Sequence, residues 1–130
     1  MKKQSKFSLQ RCLKSFKYAF NGFQLLIREE PNAKVHFFIT VCVLAAGFVF
    51  RISNGEWMAV ILCIGLVITL ELLNSAIENI ADFVSPEKHE AIKRIKDLAA
   101  GAVLVGAITS VVVGMIVFLP KIIEIFTNHF

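Results

Sequence analysis

Glu71, Asn74, Ser75, Glu78 and Asp82 recur at steps of three and four within a largely apolar stretch. On an α-helix, with about 100° between successive residues, they fall in one sector roughly 100° wide. Ionisable side chains inside an apolar segment are costly to desolvate and usually mark function. Two carboxylates about two turns apart suit phosphoryl transfer to a hydroxyl: one acid orients or deprotonates the hydroxyl, and the other helps hold a divalent ion that offsets phosphate charge. Glu71 suits the first role. Glu78 suits the second, with Glu29 or Glu30 as the further acid, because magnesium takes carboxylate oxygens while keeping waters and phosphate oxygens.

Other readings of the stripe remain open. The acids could pair with Lys or Arg of neighbouring helices, or hold an assembly together through interhelical hydrogen bonds, as in a non-enzymatic channel or assembly subunit. A proton or cation path calls for acids near mid-membrane, whereas this stripe is displaced to one side. Glu87, His89, Lys93, Arg94, Lys96 and Asp97 follow it closely, and basic groups there could meet the phosphates of ATP or anchor to anionic lipid. The sequence contains no Walker A loop, protein-kinase glycine loop, metal-binding Cys/His spacing or serine-hydrolase motif.

The elements that position these residues are those of a membrane protein. The chain has 130 residues, one domain's worth, yet 56% are hydrophobic and 18% charged, and a mean hydropathy of +0.68 is too high for a soluble globule of that size. From Leu9, apolar residues recur at steps of three and four, with Arg11, Lys14 and Lys17 between them, which predicts an amphipathic surface helix over about residues 8–30. Three spans are expected at about 35–50, 57–80 and 98–119, helical because lipid offers no partner to free backbone groups. Lys34, His36 and Arg51 are placed at the interfaces of the short first span.

Ile52–Glu56, with Asn54-Gly55, reads as a tight connection, and Ser85-Pro86-Glu87 reads as a helix start capped by Ser85. Pro120 is expected to end the last helix. Ala99-Ala100-Gly101-Ala102 suggests close helix packing or an oligomer contact. Lys2, Lys3, Lys6, Arg11, Lys14, Lys17, Arg28 and Lys34 all precede the first span. That is a membrane-surface pattern, not a nucleic-acid one, and the positive-inside rule puts the N-terminus in the cytoplasm and the C-terminus outside. With Trp57 at the outer interface, Glu71 lies fourteen residues further along, about 20 Å at 1.5 Å per residue, and so in the inner leaflet. Glu78 then reaches the cytoplasmic boundary. Three cysteines, two of them inside apolar runs, indicate no disulfide framework, and no removable signal peptide is expected.

Glu-Leu-Leu-Asn-Ser-Ala-Ile-Glu at 71–78, Asp82 and Lys96-Asp97-Leu98-Ala99-Ala100-Gly101-Ala102-Val103-Leu104 closely resemble the signature of the bacterial diacylglycerol kinase and undecaprenol kinase family. The likeness runs from about Arg11 to Ile108. It implies an ATP- and Mg2+-dependent lipid kinase of the bacterial cytoplasmic membrane, a homotrimer of three-span subunits with active sites shared between neighbours. It implies Glu71 as catalytic base with Asn74 in support, and Glu30 and Glu78 as ligands of the magnesium accompanying ATP. Arg11, Tyr18, Glu87, His89, Lys96 and Asp97 match nucleotide-contacting positions. Phe20 and Ile27 stand where Gram-negative diacylglycerol kinases have tryptophan, and Ala100 where they have serine. The 30–32 and 96–101 stretches look more like the undecaprenol kinase branch, while Asn74-Ser75-Ala76 is shared with the diacylglycerol branch.

Overall fold

The computed structural model describes residues 8–129 as four helices: α1 (Leu9–Glu29), α2 (Pro31–Val49), α3 (Asn54–Val84) and α4 (Glu90–Asn128). The all-α expectation holds, and α2, α3 and α4 are each long and apolar enough to cross a membrane. Lys2, Lys3 and Lys6 lie outside the described residues. α3 is the central element: it packs along α4 and also meets α1 and α2, whereas among the described residues the backbones of α1 and α2 stay more than 8 Å, Cα to Cα, from that of α4.

Each helix end has a local cause. Pro31 has no N–H to donate, suits the first helical position and holds the residue before it in the extended region. Glu30 accordingly sits between α1 and α2 with φ −103° and ψ 110°. Its N–H donates to the Leu26 carbonyl, closing α1, and its own carbonyl accepts from Lys34 N–H, opening α2. At the far end of α2, Ile52 N–H donates to the Gly47 carbonyl and Arg51 N–H to that of Phe48. These are the two bonds of a Schellman motif, and they hold Arg51 in the left-handed region at φ 50°.

Three expected boundaries move. Arg51, not Asn54-Gly55, makes the turn between α2 and α3. Asn54 and Gly55 instead open α3, because Ser53 and Glu56 form a reciprocal capping box in front of them. Ser85 does not start α4: its N–H makes the last bond of α3, to Ala81, and its hydroxyl donates to the Glu87 carbonyl. The cap of α4 is His89, whose Nδ1 accepts from Ala91 N–H at 3.2 Å. Pro120 lies inside α4, which continues to Asn128. One lost backbone bond is outweighed there by packing of Phe118 on Phe50, ring centroids 6.0 Å apart, and by a 3.2 Å ion pair from Lys121 to Glu56.

Ile52, Val60 and Val117 form a small core at this same end, with Trp57 and Phe118 packed against it. Two glycines let elements meet. A methyl group at Gly47 would come within 2.6 Å of the Trp57 ring, and one at Gly106 within 2.6 Å of the Leu70 side-chain tip. Gly101 has open space around it within the chain, so the small-residue run at 99–102 is not the point of closest approach. Elsewhere the spans bury little: between 11% and 17% of each one's apolar window is covered. Large side chains such as Phe48, Leu62 and Ile116 face outward, as lipid contact requires. All three thiols are free.

The rigid Trp57 ring cannot yield as the flexible Leu70 tip can. Gly47→Ala is therefore expected to destabilise the detergent-solubilised protein by about 1–3 kcal/mol in thermal unfolding, Gly106→Ala by less, and Trp57→Phe to restore much of the Gly47→Ala loss.

Candidate active site

Only one charged or polar side chain is buried among the described residues, and it is Glu71, 3% exposed. Helical periodicity turns it inward from α3 toward α2, where it meets His36: Nε2 lies 3.2 Å from Glu71 Oε1. The distance is that of an ion-pair contact, but the atoms are not aligned as a hydrogen bond. Glu71 Oε1 and Asn74 Oδ1 are both buried without a hydrogen-bond partner. Two neighbouring buried acceptors without a donor are rare in proteins, since such groups are otherwise satisfied. A hydroxyl is a fitting donor.

The two further acids come in from either side. Ser75 Oγ donates to Glu30 Oε1 at 3.3 Å, tying the α1–α2 junction to α3. Asn74 Nδ2 donates to Glu78 Oε1 at 3.5 Å along α3. Both bonds end on residues within one turn of Glu71 on α3. The expected cluster of Glu30, Glu71, Asn74 and Glu78 is thus brought together. Its assembly depends on Pro31, which puts Glu30 at a bend instead of on a continuous helix.

No group of three or more His, Cys, Asp or Glu side chains converges as a ready-made cation site among the described residues. Two carboxylates, Glu30 and Glu78, are donors of the kind that the hard, partly hydrated magnesium ion takes when phosphate and water oxygens complete its shell.

The positions expected to contact nucleotide are only partly gathered. Glu87, His89, Lys96 and Asp97 line an open hollow of about 520 Å³ at the α3–α4 connection, together with Asp82 and Lys93. Within it Lys96 pairs with Asp82 and Lys93 with Asp97, at 2.9 Å. Asp82, which the sequence left without a role, is a partner for Lys96, so pairing with a neighbouring helix does account for one acid of the stripe. Arg11 and Tyr18 are exposed on α1, which does not touch α4. The chain alone therefore holds its nucleotide candidates in two separate groups. Sequence reasoning set His36 at the interface and did not pair it with Glu71. The available signal was a titratable ring in an otherwise apolar segment.

Residues 17–118 match the sequence profile of the prokaryotic diacylglycerol kinase family. The chain belongs to this family. It is similar to the undecaprenol kinase of Bacillus subtilis, 42% identical over 88% of this chain and 93% of that protein. It is also similar to the diacylglycerol kinase of Synechocystis, 37% identical over 87% of this chain and 65% of that protein. A third relative, the diacylglycerol kinase of Pseudomonas aeruginosa, is 34% identical over 72% of this chain and 76% of that protein. The chain is accordingly a multi-pass lipid kinase of a bacterial membrane family, and as a kinase it uses ATP.

Replacing Pro31 by Ala removes the reason for the bend. Pro31→Ala should lower kcat about tenfold or more by moving Glu30 away from Ser75. In a Glu30→Gln background the same change should cost little further, which steady-state kinetics of the single and double variants will show.

Proposed function

We propose that this kinase transfers the γ-phosphoryl group of ATP to the hydroxyl of undecaprenol or diacylglycerol, with Glu71 as the base. The observation that carries the reading is the buried Glu71 carboxylate, its Oε1 and the neighbouring Asn74 Oδ1 both without an aligned hydrogen bond. A lipid hydroxyl entering from the apolar side supplies that donor. Glu71 then takes its proton as the lipid oxygen bonds to the γ-phosphorus and the bond from that phosphorus to the β,γ-bridging oxygen breaks, releasing ADP. A carboxylate acts here because water is excluded and the hydroxyl is held against it.

Glu30 and Glu78 would hold magnesium beside the γ-phosphate, where it supplies charge neutralisation. Ser75 and Asn74 orient those two carboxylates through the bonds described above. Lys96, Asp97, Glu87 and His89 on one side, with Arg11 and Tyr18 on the other, would bracket the nucleotide. Because α1 does not reach α4 within one chain, the reading includes a homotrimer in which neighbouring subunits complete each site. The weakly buried spans support such an assembly. The basic N-terminal stretch supports a cytoplasmic N-terminus, with the C-terminus outside.

For the acceptor, the higher identity to the Bacillus undecaprenol kinase favours the polyprenol. Purified protein in mixed lipid, given radioactive ATP and equal amounts of both alcohols, should label undecaprenol preferentially. Glu71→Gln should lower kcat by about 10²-fold or more with the oligomer intact, a loss on the scale of a missing general base. Full activity in that variant would remove Glu71 from the chemistry, and preferential labelling of diacylglycerol would reverse the choice of acceptor.

A further inference from the structure

We propose that His36 is a positioning residue that holds the Glu71 carboxylate in register for the lipid hydroxyl. The inference rests on Glu71 being the base. Its own starting point is the 3.2 Å approach of His36 Nε2 to Glu71 Oε1, the one ion-pair contact that Glu71 makes among the described residues. An imidazole at the head of an otherwise apolar helix is expensive to place in lipid, and such groups stay where they have a partner.

The surroundings of the ring sharpen its role. His36 lines an apolar cavity of about 230 Å³ between α2, α3 and α4, which Val43, Val67 and Ser110 also line but Glu71 does not. It also lines a small crevice beneath α1, together with Leu26, Phe37 and Glu71. The ring therefore stands between the intramembrane cavity and the carboxylate. On its own helix, the His36 carbonyl accepts the Thr40 hydroxyl at 2.8 Å.

In the tautomer with its proton on Nε2, the ring presents a donor to Glu71 and steadies the carboxylate by electrostatic contact. Because the contact is not an aligned hydrogen bond, Oε1 keeps acceptor capacity toward an incoming hydroxyl. An oriented carboxylate that still lacks its donor is poised for substrate. The function assigned to His36 is orientation, and the proton of the lipid hydroxyl goes to Glu71.

Two substitutions separate orientation from packing. His36→Leu fills similar space without a donor, and His36→Gln keeps a side-chain N–H. With the full-length protein in lipid, His36→Leu should lower kcat about 10- to 100-fold, leaving the KM for ATP and the melting temperature unchanged. His36→Gln should recover most of that loss. In a Glu71→Asp background, whose shorter carboxylate is beyond the reach of His36, adding His36→Leu should cost nothing more. Equal activity of the His36→Leu and His36→Gln variants, or an undiminished loss in the Glu71→Asp background, overturns the role of His36. Glu71→Gln, measured beside them, reports on the base itself: an inactive Glu71→Gln enzyme with a fully active His36→Leu enzyme would refute only the positioning role.

Discussion

A carboxylate buried between apolar helices is the constraint on which the rest of this structure depends. Glu71 has to be desolvated to sit where it does, and in a bilayer the helix that carries it has no water with which to share the cost. One local group faces that cost, an imidazole from α2 at 3.2 Å, whereas the amide and hydroxyl along the same helix face bond two further acids, whose like charge adds to it. Every element of the fold has a part in this. α3 supplies the stripe, α2 brings the histidine, and the α1–α2 junction swings Glu30 into place. α4 packs along α3 and carries the lysine that meets Asp82.

The two ends of the helical layer are built differently. At the end carrying Trp57, the chain closes α2 with a Schellman motif, opens α3 with a capping box and links α3 to α4 through Glu56 and Lys121. Aromatic packing of Phe48 on Trp57, centroids 4.9 Å apart, adds to this. At the other end the α3–α4 connection is irregular, exposed and rich in charge. Stability concentrated at one end leaves the other with charged side chains held mainly by exposed ion pairs, which are worth little and exchange readily. A nucleotide arriving there would compete with Asp82 and Asp97 for the same lysines, and weak surface pairs yield to the denser charge of a polyphosphate.

Much of this was legible in the sequence, for identifiable reasons. The three spans and the surface helix follow from apolar periodicity and length, and the acidic face of α3 follows from residue spacing alone, because a helix in lipid has little freedom to be anything else. The end of α1 near Glu30 was legible too, and the proline after it is the physical reason, since proline acts on its immediate neighbour. What the sequence misplaced were ends governed by competing local bonds. Asn54-Gly55 has turn chemistry, yet Ser53 and Glu56 cap the helix more effectively and draw both residues into α3. Ser85-Pro86-Glu87 has cap chemistry, yet Ser85 N–H is already committed to Ala81. Pro120 ends helices in water, but at a packed membrane-protein end the neighbouring contacts carry the helix past it. The pairing of His36 with Glu71 was not legible because the two stand 35 positions apart in the chain, and the apolar run that marks the ring does not name its partner.

The asymmetry between the acceptor side and the nucleotide side has a physical consequence for assembly. Within one chain Glu71, the side chains beside it and the apolar cavity are already in place, since α2, α3 and the α1–α2 junction meet. Arg11 and Tyr18, by contrast, sit on a helix that has no contact with α4, and both are exposed. In the assembly proposed above, a second copy would bring α1 and the α3–α4 connection together while covering apolar span surface that one chain leaves open. On the function proposed above, lipid recognition would reside within a subunit and nucleotide recognition would draw on its neighbours. That division would place the reaction at the meeting of an intramembrane site and an intersubunit one.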